Sequence, residues 1–163
     1  MSVAVREARP SDLGAALPLW RALHAEHEAL DARYRMAEDA AARWASDFRE
    51  WTRSVSSRVW LAVDAVAPVG LLTAHLYEPA PTFQPSLFVH VDDLYVAPPH
   101  RGTGLGTRLL DQARDWARAE QAEYLQVGVL AANTAARAFW ARQGGAEFSV
   151  TMRLGESDIG AAA

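Results

Sequence analysis

The chain has 163 residues, the size of one ordinary domain, and half of them are apolar, as in soluble globular proteins. It contains no cysteine, which excludes disulfides, thiolate nucleophiles and cysteine-bound zinc, and no lysine, which excludes a P-loop lysine and a Schiff base. The formal net charge of −4 provides no basic field for nucleic acid or anionic lipid. We expect a single domain over residues 1–155 and a flexible tail over 156–163.

The first ten residues carry charges where a signal peptide needs an apolar run. No stretch of about 18 uncharged apolar residues exists that would span a membrane. We therefore expect a cytoplasmic protein with neither a membrane nor a nucleic-acid partner.

The amino-terminal third is predicted to form a strand and two helices. Val3–Ala8 alternates as a short strand, and Pro10-Ser11-Asp12 caps a helix over Leu13–Leu30. A second, amphipathic helix is predicted from about Asp31 to Arg53, because apolar side chains recur there every three or four residues. Its apolar stripe consists of Leu30, Tyr34, Ala37, Ala41, Trp44, Phe48 and Trp51.

After Arg58 the apolar period changes from helical to that of strands. The remaining predicted elements are a hairpin of strands Val59–Val63 and Val69–Tyr77, a proline-rich loop Glu78–Pro85, a strand Ser86–Val96, a helix Thr103–Glu120, a strand Glu123–Leu130, a helix Thr134–Gln143 ended by Gly144-Gly145, and a last strand Glu147–Leu154. The order β-α-α-β-β-β-α-β-α-β favours an α/β (α+β) fold in which a mixed sheet has helices on both faces.

The most informative segment is a strand, a glycine-rich turn and a helix, from Asp92 to Leu110. Glycines at 102, 104 and 106 let the turn adopt left-handed angles and let the backbone approach a ligand. The free N–H groups and dipole of the following helix suit a phosphate or pyrophosphate, with Arg101 and Arg108 as charges at the rim. The absent lysine excludes a Walker A loop, and the glycine spacing does not fit a dinucleotide fold. A tight strand-to-helix turn without a ligand is the alternative.

Two motifs resemble those of the GCN5-related N-acetyltransferase superfamily. Arg101-Gly-Thr-Gly-Leu-Gly106, preceded by Leu94-Tyr-Val-Ala-Pro98, is similar to the acetyl-CoA motif Arg/Gln-x-x-Gly-x-Gly/Ala. Asn133-Thr-Ala-Ala136-Arg-Ala-Phe139-Trp140 with Gly144 is similar to the second motif, Asn-x-x-Ala-x-x-Phe-Tyr-x-x-x-Gly. The resemblance covers roughly residues 60–150 in element order. It implies a mixed, mostly antiparallel sheet of about six or seven strands.

The resemblance also implies acetyl-CoA as co-substrate and a set of residues that bind it. The turn amides that would hold the pyrophosphate are those of Arg101, Gly102, Thr103, Gly104, Leu105, Gly106 and Thr107. The strand at Leu94, Tyr95 and Val96 would pair with the pantetheine arm beside a bulged, splayed pair of strands, and the N–H of Leu94 or Val96 would polarise the thioester carbonyl. Asn133 would bind the pantetheine or a phosphate, unless it only caps the next helix, and Phe139 would pack on the arm.

The same resemblance implies direct attack by an amine on the thioester, which requires a base. Asp92 and Asp93 are the candidates, and strand alternation predicts that their side chains point to opposite faces. Polyamine-type members favour Asp92 as base, whereas a bulge cap or an arginine partner is the structural alternative for either aspartate.

Trp140 occupies the place of the tyrosine that many relatives use to protonate the leaving thiolate, and indole cannot act as an acid. Tyr95, Tyr124 or water remain as proton donors. This departure from the family pattern leaves open a catalytically silent acyl-CoA-binding module.

The acceptor is expected to be a small-molecule primary amine, with a protein or peptide amine as the alternative. A wall of aromatic and acidic side chains would attract its ammonium form by cation–π and charge interactions. The candidates for this wall are Trp44, Phe48, His75, Tyr77 and Glu78. His24 and His27 lie three apart but have no third ligand, so no metal is expected. A homodimer is expected through exposed apolar positions such as Trp51 or Trp60.

Overall fold

The structure is a computed structural model, in which residues 3–65, 67–84 and 86–155 are described. By contacts the chain divides into two units, Met1–Asn133 and Thr134–Ala163, and each is described by itself. The tail predicted at 156–163 lies outside the described residues. The strands are β1 (Ala4–Glu7), β2 (Ser57–Asp64), β3 (Ala67–Tyr77), β4 (Phe88–Val96) and β5 (Tyr124–Val127), and the helices are α1 (Leu13–Leu30), α2 (Ala40–Trp51), α3 (Leu105–Ala119) and α4 (Thr134–Arg142), with short 3₁₀ turns at Pro10–Asp12 and Pro98–His100.

The first unit is built on a five-stranded sheet in the order β1-β2-β3-β4-β5. The first four strands pair antiparallel, whereas β5 pairs parallel to β4, so the predicted mixed and mostly antiparallel sheet is confirmed. The described residues contain five strands instead of six or seven. Residues 146–155, where a last strand was expected, form no helix or strand. Alternation supplies a strand's side-chain pattern, but a strand exists only where its backbone also pairs with a neighbour.

Helices cover both faces of the sheet, as predicted. On one face, α1 and α2 pack on the sheet around Leu61, Leu71 and Tyr95, and Phe48 lies fully buried in the same cluster. On the other face the Trp116 ring of α3 lies 6.0 Å from Trp60 of β2. Trp60 is only 5% exposed, so the expectation that it offers an apolar dimer surface is wrong. Among the described residues no helix is long and apolar enough to cross a membrane.

The prediction of one long second helix over Asp31–Arg53 is wrong for its first nine residues, which are not helical. The Asp31 carboxylate accepts the backbone N–H of Arg33 at 3.0 Å, and this local turn competes with a helix. Helix α2 begins only at Ala40, where the Asp39 carbonyl accepts the N–H groups of Ala42 and Arg43. The interruption matters because it leaves Tyr34 in the segment between the two helices, where its ring stacks on His24 of α1 with centroids 5.7 Å apart.

Candidate active site

The pairing of β4 with β5 ends halfway along β4. Phe88 to Val91 pair with Tyr124 to Val127, and beyond Val91 the ladder stops. The Ala97 N–H donates to Val69 on the β3 side. Because successive residues of a strand direct their backbone groups to alternate neighbours, the N–H groups of Leu94 and Val96 face the side that β5 has left. Among the described residues, no strand pairs with this side of the carboxyl half of β4. The N–H groups of Leu94 and Val96 lie open there, while the Val96 carbonyl on the same side accepts a hydrogen bond from Arg101.

The glycine-rich turn follows this open edge and leads into α3. Gly102 and Gly104 have φ values of 75° and 82°, which glycine alone adopts without strain. Within the described part of the chain, the N–H groups of residues 102–106 have no backbone acceptor. Gly104 is the cap of the helix and contributes no side chain. Free amides and the positive end of the α3 dipole thus coincide at one turn, an arrangement suited to an anion such as a phosphate.

The two arginines beside this turn are engaged elsewhere. The Arg101 guanidinium donates to Glu26 of α1 at 2.7 Å and to the Val96 carbonyl at 2.8 Å, and it covers the Tyr95 ring at 5.4 Å. Arg108 donates to the Val3 carbonyl at 2.8 Å. Both guanidinium groups are therefore held in structural interactions instead of standing free at the rim, and Arg101 ties the turn to α1.

A bulge in β4 places the two adjacent aspartates on one face of the sheet. Thr73 pairs with Asp93 but Ala74 pairs with Val91, so Asp92 is the extra residue. Asp93 accepts a hydrogen bond from Thr73 and lies 3.7 Å from His24 of α1. Asp92 lies 3.2 Å from His75, whose ring packs against Trp51 of α2. The prediction that the two carboxyl groups face opposite sides is wrong, because a bulge interrupts strand alternation.

Asp93 is the buried member of the pair, with 8% of its surface exposed. Burial raises its pKa to about 6, although the Thr73 hydroxyl at 3.0 Å and the nearby Trp44 indole both act to lower it. The buried Trp44 N–H makes no well-formed hydrogen bond to the described residues. His24 stays neutral because burial lowers its pKa to about 4, and its Nδ1 lies 2.9 Å from the Tyr34 hydroxyl. Asp93 thus anchors a buried polar network between the sheet and α1.

Asp92 is the accessible member, with 35% of its side chain exposed. Burial, and then the neighbouring Asp93 charge, raise its pKa to about 7. Its Oδ2 lies 3.2 Å from His75 Nε2 and its Oδ1 lies 3.9 Å from His90 Nε2. Burial lowers the pKa of both histidines, which favours their neutral forms. A carboxyl group that titrates near neutral pH and reaches solvent has the properties of a general base.

His75 is itself held by a second contact. Its Nδ1 lies 2.9 Å from the hydroxyl of Ser57, which is buried on β2. Two tautomers satisfy this contact, but only the one with the hydrogen on Nε2 offers Asp92 a donor. Ser57, His75 and Asp92 therefore form a chain that crosses three neighbouring strands.

The other residues expected to line the acceptor cleft divide into two groups. Trp44 is 5% exposed and Phe48 is fully buried, so both belong to the core beneath the site, with ring centroids 5.2 Å apart. Tyr77 is 47% exposed at the end of β3, near Asp92, and Glu78 follows it on the surface. Phe48 thus supports Trp44 and does not line an open cleft.

Two tyrosines were considered as acids for the leaving thiolate. The Tyr95 hydroxyl donates to Glu26 at 3.3 Å, and its ring is buried beneath Arg101. Tyr124 begins β5, three residues before the ladder ends at Val127, and its ring stacks on Phe88. The Tyr95 hydroxyl is thus engaged by Glu26, and Tyr124 lies in the part of β5 that pairs with β4.

The boundary between the two units falls inside the second sequence motif. Asn133 is the last residue of the first unit and immediately precedes α4, as a cap would. Within the second unit, Phe139 and Trp140 lie on α4 with ring centroids 5.1 Å apart, and Gly144 ends the helix with a φ of 90°. Among the described residues no group of three or more side chains is arranged to bind a metal.

Sequence reasoning did not assign His24, Tyr34, His90 or Ser57 to the site. His24 was weighed only as a metal ligand with His27, and Tyr34 only as part of a helical stripe. His90 lies directly opposite His75 in the β3–β4 register. The sequence shows which residues of each strand share a face, but it does not show the register that brings the two histidines together.

The bulged and splayed β4, the glycine turn and the order of elements define an acyl-CoA-dependent transferase fold. The chain belongs to the acetyltransferase (GNAT) family, whose model matches residues 20–145. Members of this family are acetyl-CoA-dependent acetyltransferases. A search of curated protein sequences gives no significant match.

Solved structures of the same fold align over nearly the whole chain. A tetramutant of the BH1408 protein from Bacillus halodurans is 23% identical with a TM-score of 0.83, and the alignment covers 93% of this chain and 99% of that one. Aminoglycoside 6'-N-acetyltransferase AAC(6')-Ih from Acinetobacter baumannii is 19% identical with a TM-score of 0.75, covering 95% and 98%. AAC(6')-Iy, bound to a bisubstrate analogue of CoA and acetylneamine, is 15% identical with a TM-score of 0.76, covering 96% and 99%. At sequence identities this low, the structural similarity shows that the fold is shared and nothing more.

Proposed function

We propose that this protein transfers the acetyl group of acetyl-CoA to a primary amine of a small molecule, within a ternary complex. The observation that carries the proposal is the β4 bulge. It places a carboxyl group that is 35% exposed and has a pKa of about 7 next to the strand edge that β5 leaves open. The aminoglycoside acetyltransferases of the same fold act on amines of small molecules, which supports this acceptor class.

The donor is held along β4. Its diphosphate takes the free amides of residues 102–106, and its pantetheine arm adds to the open strand edge as a short extra strand. The N–H of Leu94 or Val96 then donates to the thioester carbonyl, where negative charge develops during attack. Asn133, Phe139 and Trp140 are further proposed contacts with the arm.

The acceptor reacts only as the neutral amine, whereas an alkylamine has a pKa near 10. We propose that Asp92 accepts the proton as the nitrogen attacks the thioester carbon, either directly or through one water. The new C–N bond forms, the C–S bond breaks, and CoA leaves as a thiolate. Because a thiol has a pKa of about 8.5, solvent is a sufficient source of the final proton, and neither tyrosine nor Trp140 is required. Asp93 acts as a positioning residue.

The proposed function is tested by release of the free CoA thiol from acetyl-CoA with a panel of primary amines. Turnover with small amines, and none with peptide amino termini, is the expected result. Turnover with peptides alone would assign a protein or peptide acetyltransferase. CoA binding by calorimetry without turnover for any amine would assign a silent acyl-CoA-binding module. The predictions of one acetyltransferase domain over residues 1–155, a homodimer and a cytoplasmic location stay predictions.

The Ser57–His75–Asp92 chain predicts a shifted pH profile. His75 Nε2–H favours the charged form of Asp92, so His75→Asn should raise the pKa of the base. If loss of this 3.2 Å polar contact costs about 1 kcal/mol, the acid limb of kcat/KM moves by roughly 0.5–1 pH unit to higher pH. Ser57→Ala should produce a smaller shift in the same direction. A uniform loss of kcat at every pH, with the limb unmoved, would show a structural role only.

A further inference from the structure

A row of three aromatic rings crosses the sheet on the face that carries Asp92. Tyr77 on β3, Phe88 on β4 and Tyr124 on β5 are register partners on neighbouring strands. The Tyr77 and Phe88 centroids lie 5.8 Å apart at 28°, and those of Phe88 and Tyr124 lie 5.1 Å apart at 5°. Tyr77 is 47% exposed and Tyr124 is 43% exposed. This aromatic row is therefore an open, flat surface instead of core packing.

The aromatic row is connected to the proposed base through His90. The Tyr77 and His90 rings lie 6.2 Å apart, and His90 Nε2 lies 3.9 Å from Asp92 Oδ1. After burial, the Asp92 charge is the second cause that raises the pKa of the Tyr77 hydroxyl. A molecule that lies on the row consequently has one end within reach of the carboxylate.

The row lies at the end of β4 that the donor does not use. Phe88 is the first residue of β4, whereas the free edge at Leu94 and Val96 and the amides of residues 102–106 are at its carboxyl end. Asp92 lies between the two regions. The attacking amine has to approach Asp92 without displacing the pantetheine arm, which leaves the surface over the aromatic row for the rest of the acceptor.

We propose that the aromatic row binds a flat apolar group of the acceptor, which makes the acceptor an arylalkyl amine. This inference rests on the proposed function. Stacked rings favour another ring in offset or edge-to-face contact, and an ammonium is attracted both to the carboxylate and to aromatic faces. Rings at one end and a carboxylate at the other thus match a molecule with an aromatic ring, a short alkyl linker and a terminal amine.

The test compares kcat/KM for 2-phenylethylamine, 3-phenylpropylamine, 2-cyclohexylethylamine and butylamine. Wild type should prefer the phenyl compounds to butylamine by about tenfold or more, and to the cyclohexyl compound by a smaller factor. Tyr77→Ala and Tyr124→Ala should each lower the phenyl-to-butyl ratio by about five- to tenfold. Tyr77→Phe and Tyr124→Phe keep the rings and should restore most of the ratio. Arg118→Ala on the exposed side of α3 is the control and should leave the ratio at its wild-type value.

Equal rates for the phenyl compounds and butylamine, unchanged by Tyr77→Ala, would overturn the proposal. Preference for neamine over every phenyl compound would overturn the proposal and make the acceptor a polycationic amino sugar. If Tyr77→Ala converts a dimer into a monomer in sedimentation and alters no substrate preference, the row is an interface between copies instead. If no amine is acetylated, the proposed function fails. Calorimetry of 3-phenylpropylamine with the CoA-bound protein then tests separately whether the aromatic row binds a ring. Binding that Tyr77→Ala weakens supports the proposal, and no binding overturns it.

Discussion

Asp92→Asn should reduce kcat/KM for amine acetylation by about a hundredfold to ten-thousandfold, the range for loss of a positioned base. Wild-type kcat/KM should rise as the pH increases through about 7, because Asp92 accepts a proton only after its own carboxyl group has ionised. In the variant this limb should disappear, and the remaining rate should follow the ionisation of the amine alone. The measurement is free CoA release between pH 5.5 and 9. Asp111→Asn, on the exposed surface of α3, is the charge-matched control and should retain wild-type activity.

The same variant should be more stable than wild type at neutral pH. Folding raises the Asp92 pKa from 3.8 to about 7. The contribution of the neutral Asp92 carboxyl to the stability of the fold is therefore complete below about pH 4 and is lost as the pH rises through 7. The shift corresponds to roughly 4 kcal/mol before screening, and since a third of the side chain is exposed we expect roughly 1–2 kcal/mol. Urea unfolding of both proteins at pH 8 measures this difference in the free energy of unfolding. A variant that is less stable than wild type and fully active would contradict both the assignment of Asp92 as the base and burial as the cause of its raised pKa.

Gly104→Asp should weaken CoA binding by about a hundredfold while leaving the fold intact. Position 104 caps α3 in a left-handed conformation with φ of 82°, which aspartate tolerates better than most residues, and a Cβ there meets no described atom within 4 Å. The new carboxylate accepts the free amides of the turn and repels the diphosphate, at a cost of roughly 2–3 kcal/mol for charges some 4 Å apart in a partly dry site. Calorimetric titration of CoA gives the affinity.

Gly104→Asn separates charge from shape in this experiment. Asparagine has nearly the same size, caps a helix as well and adopts the same backbone angles, but it carries no charge. Its CoA affinity should fall by a factor between those of wild type and the aspartate variant. Equal CoA affinity in all three proteins would show that the turn does not hold the diphosphate, whatever the thermal stability of each variant.

Local patterns were sufficient to predict the features proposed for the donor side of the site. The glycines at 102 and 104 need positive φ, the helix after them supplies free amides, and β4 leads into the turn, all within fifteen consecutive residues. Such features depend on neighbours in the chain, so motif and spacing predicted them. The free N–H groups of Leu94 and Val96 also follow from the motif, although the point where β5 leaves β4 had to be observed.

The acceptor side depended on features that no local pattern encodes. Alternation placed Asp92 and Asp93 on opposite faces, and the bulge opposite Thr73 and Ala74 put them on one face. The Asp31 turn interrupted an apolar stripe that otherwise reads as one helix, and Tyr34 came to bind His24 as a result.

By itself, then, the sequence determined the class of fold, the glycine-rich turn and the order of elements as far as α4, because these follow from residue type and short spacing. The tertiary structure alone decided which side chains surround Asp92, the proposed base, since strand register brings His75 and His90 to it and places Ser57 behind His75. Register is fixed by the packing of the whole sheet against α1 and α2, and one extra residue in β4 is enough to change which face a carboxyl group occupies.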